Sequence, residues 1–415
     1  MRKIISSIDI GNKYIKLIVG EVNQDRLHVL SATKIESKGI SGDKIVNAEL
    51  LINCVKEAIQ NVSQTLGVEV KKVVLGVNSK NVKLIKATGA ITISNEENKI
   101  TGKDVNKVIE KCTLDKVPNN YVLTGIVPVE FTIDGDVVVD DPKGKESENL
   151  GLKAILIASQ REYISSLLNI MTLSGLKVVD VMLSSLGDYE CFKQDHMKDS
   201  VGAVLNIGYE NSTVSIFNKG ILTNTKTYQV GTYNIISDIC YMKKLDEKTG
   251  EEIYRDLALG NSRLSNPNEH RVVTNLEQEK IRIDQYEISE IAEDRLIEIL
   301  NLAKKQINIL TKKEISYIIV TGGLAELKDF SLTLENVFGR KALIGKMNTI
   351  GVRDNSYSSA FGLIKCFDSK VSLKGKAYSI FSESELEEMN SGVKKVSVNN
   401  SESLLGKVFG YFFDN

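Results

Sequence analysis

The sequence is poor in the residues from which disulfide frameworks, zinc sites and histidine-based catalysis are built. Its 415 residues include five cysteines, Cys54, Cys112, Cys191, Cys240 and Cys366. They are odd in number, widely spaced and never in a Cys-x-x-Cys pair, so neither a disulfide framework nor a zinc site is expected, and the thiols read as those of a reducing cytoplasm. The three histidines, His28, His196 and His270, are as scattered, and a His-ligated metal or a Ser-His triad would have to be assembled by the fold alone. An excess of one charge is also missing. With 53 Lys+Arg against 54 Asp+Glu, no overall field gathers nucleic acid, and no nucleic-acid partner is expected. No stretch approaches the roughly 18 apolar residues of a membrane span, and the N-terminal segment turns polar before the apolar core of a signal peptide can form. Any membrane contact is therefore expected to be peripheral.

What is present is an ordinary globular composition, 42% hydrophobic and 26% charged, in a chain long enough for two or three domains. Ile4–Ile10 and Tyr14–Val22 are β-branched runs around Gly11-Asn12-Lys13, the pattern of a hairpin, and a third strand is expected near 26–33. A helix follows over about 44–66, with Ile45, Leu50, Leu51, Val55, Ile59 and Val62 on one stripe and Gly67 placed to end it. From about 78 to 159 the pattern changes to a strand, a helix opened by the capping-box spacing Thr101-Gly-Lys-Asp104, and further strands, which reads as a small α/β insert. Ser159-Gln-Arg-Glu162 repeats that spacing before a helix to Ser174 and a strand over 177–182. A second hairpin, Ala203–Ile207 and Thr213–Phe217 around Gly208–Ser212, repeats the first, so two halves are expected. A charged, helix-rich stretch over 232–310 precedes strand Tyr317–Thr321, which ends in Gly322-Gly323. After a last helix near 357–367, Ser-, Lys- and Glu-rich sequence to about 401 reads as a linker.

The turns carry the chemistry. Phosphate needs donors that approach without a side chain in the way, and a Gly turn between strands offers successive backbone N–H groups. Asp9-Ile-Gly11-Asn12-Lys13 fits, with Asp9 at a strand end, placed to hold Mg²⁺ through water. Any single turn of this kind equally closes a plain hairpin. Three in order, with Asn206-Ile-Gly208-Tyr209 across a cleft from the first and Gly322-Gly323 lying against adenine and ribose, mark a nucleotide site between two halves.

These motifs resemble those of the actin/Hsp70-type ATPases and, within them, the FtsA family of bacterial cell-division proteins. SIDIGNKYIKLIVGEV (7–22) is similar to the family's first phosphate motif, LNIGYENSTVSIF (205–217) to its second, and YIIVTGGLAEL (317–327) to its adenosine motif. The insert at 82–158 resembles the subdomain that sets FtsA apart from ordinary actins. The resemblance implies an α/β, actin-like two-lobed nucleotide-binding fold with an FtsA-type inserted subdomain and a C-terminal amphipathic helix. The first lobe would comprise 1–81, 159–200 and 346–367, the self-association insert 82–158, the second lobe core 201–225 and 306–345, the partner-binding subdomain 226–305, the linker 368–400 and the membrane helix 401–415. It implies ATP and Mg as cofactors, held by Asp9, Gly11, Asn12, Lys13, Asn206, Gly208, Tyr209, Gly322 and Gly323, with Glu252 where the family has a Glu that contacts the nucleoside. The sequence departs from the family in its second motif. Asn206 replaces an Asp, and Tyr209 and Glu210 replace glycines. Asn supplies no negative charge and Cβ-bearing residues obstruct phosphate, so nucleotide binding with slow or absent hydrolysis is expected.

On a helical wheel of the last segment, Leu404, Leu405, Val408, Phe409, Tyr411 and Phe412, continued by Phe413, oppose Ser403, Gly406, Lys407, Gly410 and Asp414. Such a segment folds when its apolar face enters a lipid interface. The implied function is a polymerising, peripheral membrane scaffold of cell division, at the cytoplasmic face of the membrane at the division site. Its implied partners are the C-terminal tail peptide of FtsZ, further copies of itself, membrane lipids and other division proteins. A scaffold like the pilus-assembly protein PilM, which binds a peptide of a membrane partner, is the alternative, and the amphipathic tail argues against it. A sugar or acetate kinase of the same superfamily would need the carboxylate that Asn206 lacks.

Overall fold

Alternate residues of the first two strands bury on opposite sides of one sheet, and this organises the first lobe. The computed structural model describes residues 2–389 apart from 25, 43, 96 and 97. β1 (Lys3–Ile10) and β2 (Tyr14–Asn23) pair antiparallel and β3 (Arg26–Glu36) extends the pair. Ile4, Ile8, Ile15, Leu17 and Val19 pack into one core, and Ile5, Ile18 and Val22 into another. Burial on both faces explains why apolar residues occur on both sides of these strands instead of on one.

Two short strands, β4 (Ile40–Ser41) and β5 (Lys44–Ile45), precede α1 (Ala48–Leu66). The helix starts later than its apolar stripe suggests because Asn47 caps it, accepting from the Leu50 N–H at 3.1 Å. Gly67, at φ 72°, ends it in the left-handed conformation that glycine adopts without strain. β6 (Lys72–Val77) then joins β1 in parallel.

The insert is a four-stranded antiparallel sheet in the order β7-β10-β8-β9. It consists of β7 (Lys83–Thr92), α2 (Gly102–Thr113), β8 (Tyr121–Ile133), β9 (Val137–Val139) and β10 (Asn149–Gln160). Its own core holds Val105, Val108, Phe131, Leu150 and Leu152, and Thr101 with Asp104 forms the capping box that the spacing predicts. The matching signature at Ser159 does not cap. The Ser159 hydroxyl lies 2.8 Å from that of Thr124, and α3 (Arg161–Leu173) starts after Gln160 with no side-chain cap bond. β11 (Lys177–Leu183) and α4 (Ser184–Phe192) complete this part of the lobe.

The second lobe repeats the first. β12 (Val201–Ile207), β13 (Ser212–Asn218) and β14 (Ile221–Tyr228) form an antiparallel set. After α5 (Thr232–Lys243), α6 (Glu247–Leu257), the hairpin β15 (His270–Thr274) and β16 (Lys280–Asp284), and α7 (Gln285–Leu310), β17 (Tyr317–Thr321) joins β12 in parallel. α8 (Phe330–Phe338) leads to β18 (Ala342–Ile344), parallel to β17. The orders β3-β2-β1-β6-β11 and β14-β13-β12-β17-β18 correspond strand for strand.

The chain then returns to the first lobe. α9 (Ser358–Leu373) places Phe361, Leu363 and Ile364 against Ile5, Ile18 and Val74. The reading of 368–400 as a linker differs from the structure over its described part. α9 runs to Leu373, the Ile380 N–H donates to the Ile4 carbonyl at 2.8 Å, and Ile380, Phe381 and Met389 are buried in the first-lobe core. A few apolar anchors among polar residues pin this segment, and residues 383–389 form a short helix that carries Leu386 and Met389 to the core. Residues 390–400 and the expected membrane helix, with Leu404, Leu405, Val408, Phe409, Tyr411, Phe412 and Phe413, lie outside the described residues. Among the described residues no helix is long and apolar enough to cross a membrane.

Candidate functional site: the cleft between the lobes

β1, β12 and β17 all end at the cleft, the position at which parallel strands present loops to ligands. A cavity of about 350 Å³ opens there, within the usual range for small-molecule sites. Asp9, Gly11, Asn12, Lys13, Asn206, Gly208, Tyr209, Gly322 and Gly323 line it, so the structure brings all three sequence turns together. Glu252 is not among the lining residues and is exposed on α6, whereas Glu251, Tyr254 and Arg255 face the cavity. Positions 251, 254 and 255 share a helical face and 252 lies about 100° round from 251.

At the first turn, Asp9 Oδ2 accepts from Lys16 Nζ at 2.9 Å and Oδ1 from the Ser184 hydroxyl at 2.9 Å. Lys16, only 8% exposed, faces Asp9 because the two are register partners in the β1–β2 hairpin. Asn12 donates to the Gly42 carbonyl at 2.8 Å and accepts from Asn211 Nδ2 at 3.0 Å, a bond from one lobe to the other. Lys13 Nζ also crosses the cleft, to Glu251 Oε2 at 2.8 Å, with Glu36 at 3.2 Å and the Tyr209 ring 5.2 Å below it. Burial works against the Lys13 charge, but the Glu251 and Glu36 carboxylates outweigh it and hold the ammonium pKa above its ordinary value.

The second turn departs from an open phosphate cradle. Glu210 accepts from the Gly42 N–H, and Tyr209 packs beside Tyr233. Burial, followed by the charges of Glu251 and Glu247, raises the Tyr209 phenol pKa. Asn206 Nδ2 donates to Asp188 Oδ2 at 2.7 Å, and Asp188 Oδ1 accepts from the hydroxyls of Ser358 at 2.6 Å and Ser359 at 2.8 Å. Asp188 is 1% exposed. Burial pushes its carboxyl up to about 6 against these three hydrogen bonds, and the nearby Asp9 charge adds to the rise.

Asp188, Lys16 and Ser184 were not among the residues expected from the sequence. Lys16 carried a signal, a charge inside an apolar strand opposite Asp9. Asp188 carried a weaker one, an acid in the middle of the short helix Ser-Ser-Leu-Gly-Asp-Tyr-Glu.

The third turn, at Gly322-Gly323, is open. Gly322 sits at φ 91° and ψ −178°, where a Cβ would collide with the Ile207 carbonyl and with Asn206 Oδ1. A Cβ on Gly323 would meet nothing within 4 Å, so this wall has room for a planar group. Two buried polar atoms of lining residues, Ser356 Oγ and Asn211 Oδ1, have no partner. The lining carries four cations, Lys13, Lys16, Lys34 and Arg255, against five carboxylates, Asp9, Asp188, Glu251, Glu326 and Asp354. Each lysine already has a carboxylate partner, Lys34 through Asp354 at 2.6 Å. The residues thus fit a nucleotide that arrives with a divalent cation better than a bare polyphosphate. Among the described residues no group of three His, Cys, Asp or Glu is arranged to hold a metal ion.

Comparison with known proteins agrees with this architecture. The family model "Cell division protein FtsA" matches residues 203–362 and the model "SHS2 domain inserted in FTSA" matches 79–158. FtsA of Bacillus subtilis (strain 168) is 25% identical over 361 residues, which cover 86% of this chain and 82% of that protein. FtsA of Escherichia coli (strain K12) is 24% identical over 382 residues, covering 88% and 90%. Among solved structures, the PilM–PilN type IV pilus biogenesis complex aligns with a TM-score of 0.59 at 15% identity over 87% of this chain and 97% of that one. MreB5 of Spiroplasma citri bound to ADP aligns with a TM-score of 0.54 at 11% identity over 89% and 97%. These two likenesses establish the fold alone. With the inserted domain, the second-lobe match and the full-length relatives pointing the same way, the chain belongs to the FtsA family of cell-division proteins and has its actin-like, two-lobed fold.

Proposed function

We propose that this chain is an actin-like, ATP-binding scaffold of cell division that polymerises and tethers the FtsZ ring to the cytoplasmic membrane. The observation that carries the nucleotide part is the cavity into which three separate turns converge, with an open wall at Gly323. In this reading Asp9 holds Mg²⁺ through water, Lys13 and Lys16 face the phosphates, and the base and ribose lie against Gly322-Gly323. Mg²⁺, when bound, offsets phosphate charge in a cleft whose own cations are already paired. Asn206 supplies no charge, and Tyr209 and Glu210 occupy the second turn, so binding proceeds with little hydrolysis. Lys13, Asn12 and the Gly42 turn all bond across the cleft, so a ligand that enters there biases how the lobes sit on one another, and the nucleotide acts as a conformational signal. The insert at 82–158 serves self-association, the 226–305 region takes the FtsZ tail peptide, and the apolar stripe from Leu404 to Phe413 holds the assembly on lipid.

Lipid monolayers viewed by electron microscopy test these parts together. The full chain with Mg-ATP is expected to form filaments on the monolayer, and Phe409→Asp, which puts a charge in the stripe, to leave them in solution. A parent that forms no lipid-bound polymer with any adenine nucleotide contradicts the reading. Equal lipid attachment by Phe409→Asp removes the tail from it.

A further inference from the structure

Among the described residues, Asp188 is the one buried carboxylate on the cavity wall without a counter-charge. The other acids there have neighbours that answer them: Asp9 has Lys16, Glu251 has Lys13, Asp354 has Lys34, and Glu326 accepts from the Asn355 N–H. No lysine or arginine among the described residues pairs with Asp188. It is held by three neutral donors, the hydroxyls of Ser358 and Ser359 from the start of α9 and the amide of Asn206 from the opposite lobe. A buried charge without a partner is costly, and the polar clamp keeps it facing the cavity at that cost. Asp9 raises the cost further, because the two carboxylates repel across the floor of the cleft. Two mutually repelling acids on one cavity wall, with only one of them neutralised by the protein, leave a deficit of positive charge that a divalent cation fills.

We propose that Asp188 is the second carboxylate of a divalent-cation subsite in this cleft, presented from α4 of the first lobe to the head of the second turn through its hydrogen bond to Asn206. The charge that position 206 lacks is therefore supplied from the helix facing it. Because the Asp188–Asn206 bond joins the lobes, the subsite is complete only when they are together, and cation loading reports lobe closure. This inference rests on the nucleotide reading of the cleft.

The test titrates a fluorescent ATP analogue into the full chain, once with Mg²⁺ and once with EDTA. Asp188→Asn keeps the shape and removes the charge. It is expected to lower the gain in affinity that Mg²⁺ confers by about tenfold, the Coulomb attraction of a single and a double charge across one water even at bulk dielectric, and not to weaken binding in EDTA, where loss of a negative charge beside the phosphates favours the ligand. The exchanged pair, Asp188→Asn with Asn206→Asp, moves the charge across the same hydrogen bond and is expected to restore the gain. A folded Asp188→Asn protein with the parental Mg²⁺ gain overturns the proposal. So does an equal loss in Mg²⁺ and EDTA, which marks a structural role. If the single variant melts below the assay temperature, the exchanged pair decides, and a folded exchange without the Mg²⁺ gain overturns the subsite. A parent that binds no nucleotide with any divalent ion removes the nucleotide reading itself, and the subsite with it.

Discussion

Gly322 and Gly323 are adjacent in sequence, and the structure gives them opposite tolerances, so substituting each separates folding from binding. Gly322 has φ 91° and ψ −178°, a region essentially confined to glycine, and forcing another residue into it costs about 1–3 kcal/mol. A Cβ there also overlaps the Ile207 carbonyl and Asn206 Oδ1, and such overpacking adds about 1–3 kcal/mol. Gly322→Ala is therefore expected to destabilise the second lobe by about 2–6 kcal/mol, and to lower its melting temperature by at least about 4 °C for a unit of this size. Gly323 faces open space, and a substitution that touches nothing stays within about 0.5 kcal/mol. Gly323→Val is expected to melt with the parent. Its methyls project into the proposed nucleoside site, where an overlap of about 1–3 kcal/mol weakens binding about tenfold or more. Thermal unfolding without ligand and titration with a fluorescent ATP analogue read the two effects separately. Parental affinity in Gly323→Val refutes the assignment of this wall to the nucleoside, and parental stability in Gly322→Ala refutes the strain argument.

Two further outcomes concern stability. The Asp188 carboxyl is raised by burial from 3.8 to about 6, so between these values the folded state holds the extra proton and stability falls as pH rises, by an amount on the order of 3 kcal/mol. Asp188→Asn lacks that slope. Denaturant titrations at pH 4 and pH 7 are expected to show the variant gaining on the parent by that order, and a constant difference refutes the burial argument. Phe381 is 3% exposed in the first-lobe core. Phe381→Ala is expected to cost about 3 kcal/mol and to open the segment after α9 to protease, whereas parental melting and cleavage restore the linker reading.

Much of the fold was legible because local chemistry and tertiary need agree. The β-branched runs Ile4–Ile10 and Tyr14–Val22 suit a sheet covered on both faces, Gly67 ends α1, and Thr101 caps α2. Where they compete, the tertiary partner wins. Ser159 has the right spacing for a cap but bonds Thr124, and Ile380 with Phe381 anchors a segment whose composition is that of a linker. The cleft was legible in its turns, because the requirement for close backbone approach is written in glycines. It was illegible where partners meet only in space. Asp188 lies 18 residues from Asn206 and in the other lobe, and no periodicity reports that pairing. Glu252 illustrates a finer limit, since placing a residue on a helix does not say which of two neighbouring acids faces inward.

The return of the chain to its starting sheet sets an order of events during synthesis. The second lobe is continuous from Val201 to Ile344 and folds in one pass as it leaves the ribosome. The first sheet is begun before the second lobe is made, yet one of its faces stays bare until Phe361, Leu363 and Ile364 arrive, and the backbone of β1 waits longer still for Ile380. The lobe made first is thus finished last. A nascent chain of this protein carries an uncovered β-branched sheet through most of its translation, and that face is what chaperones of the growing chain have to shield.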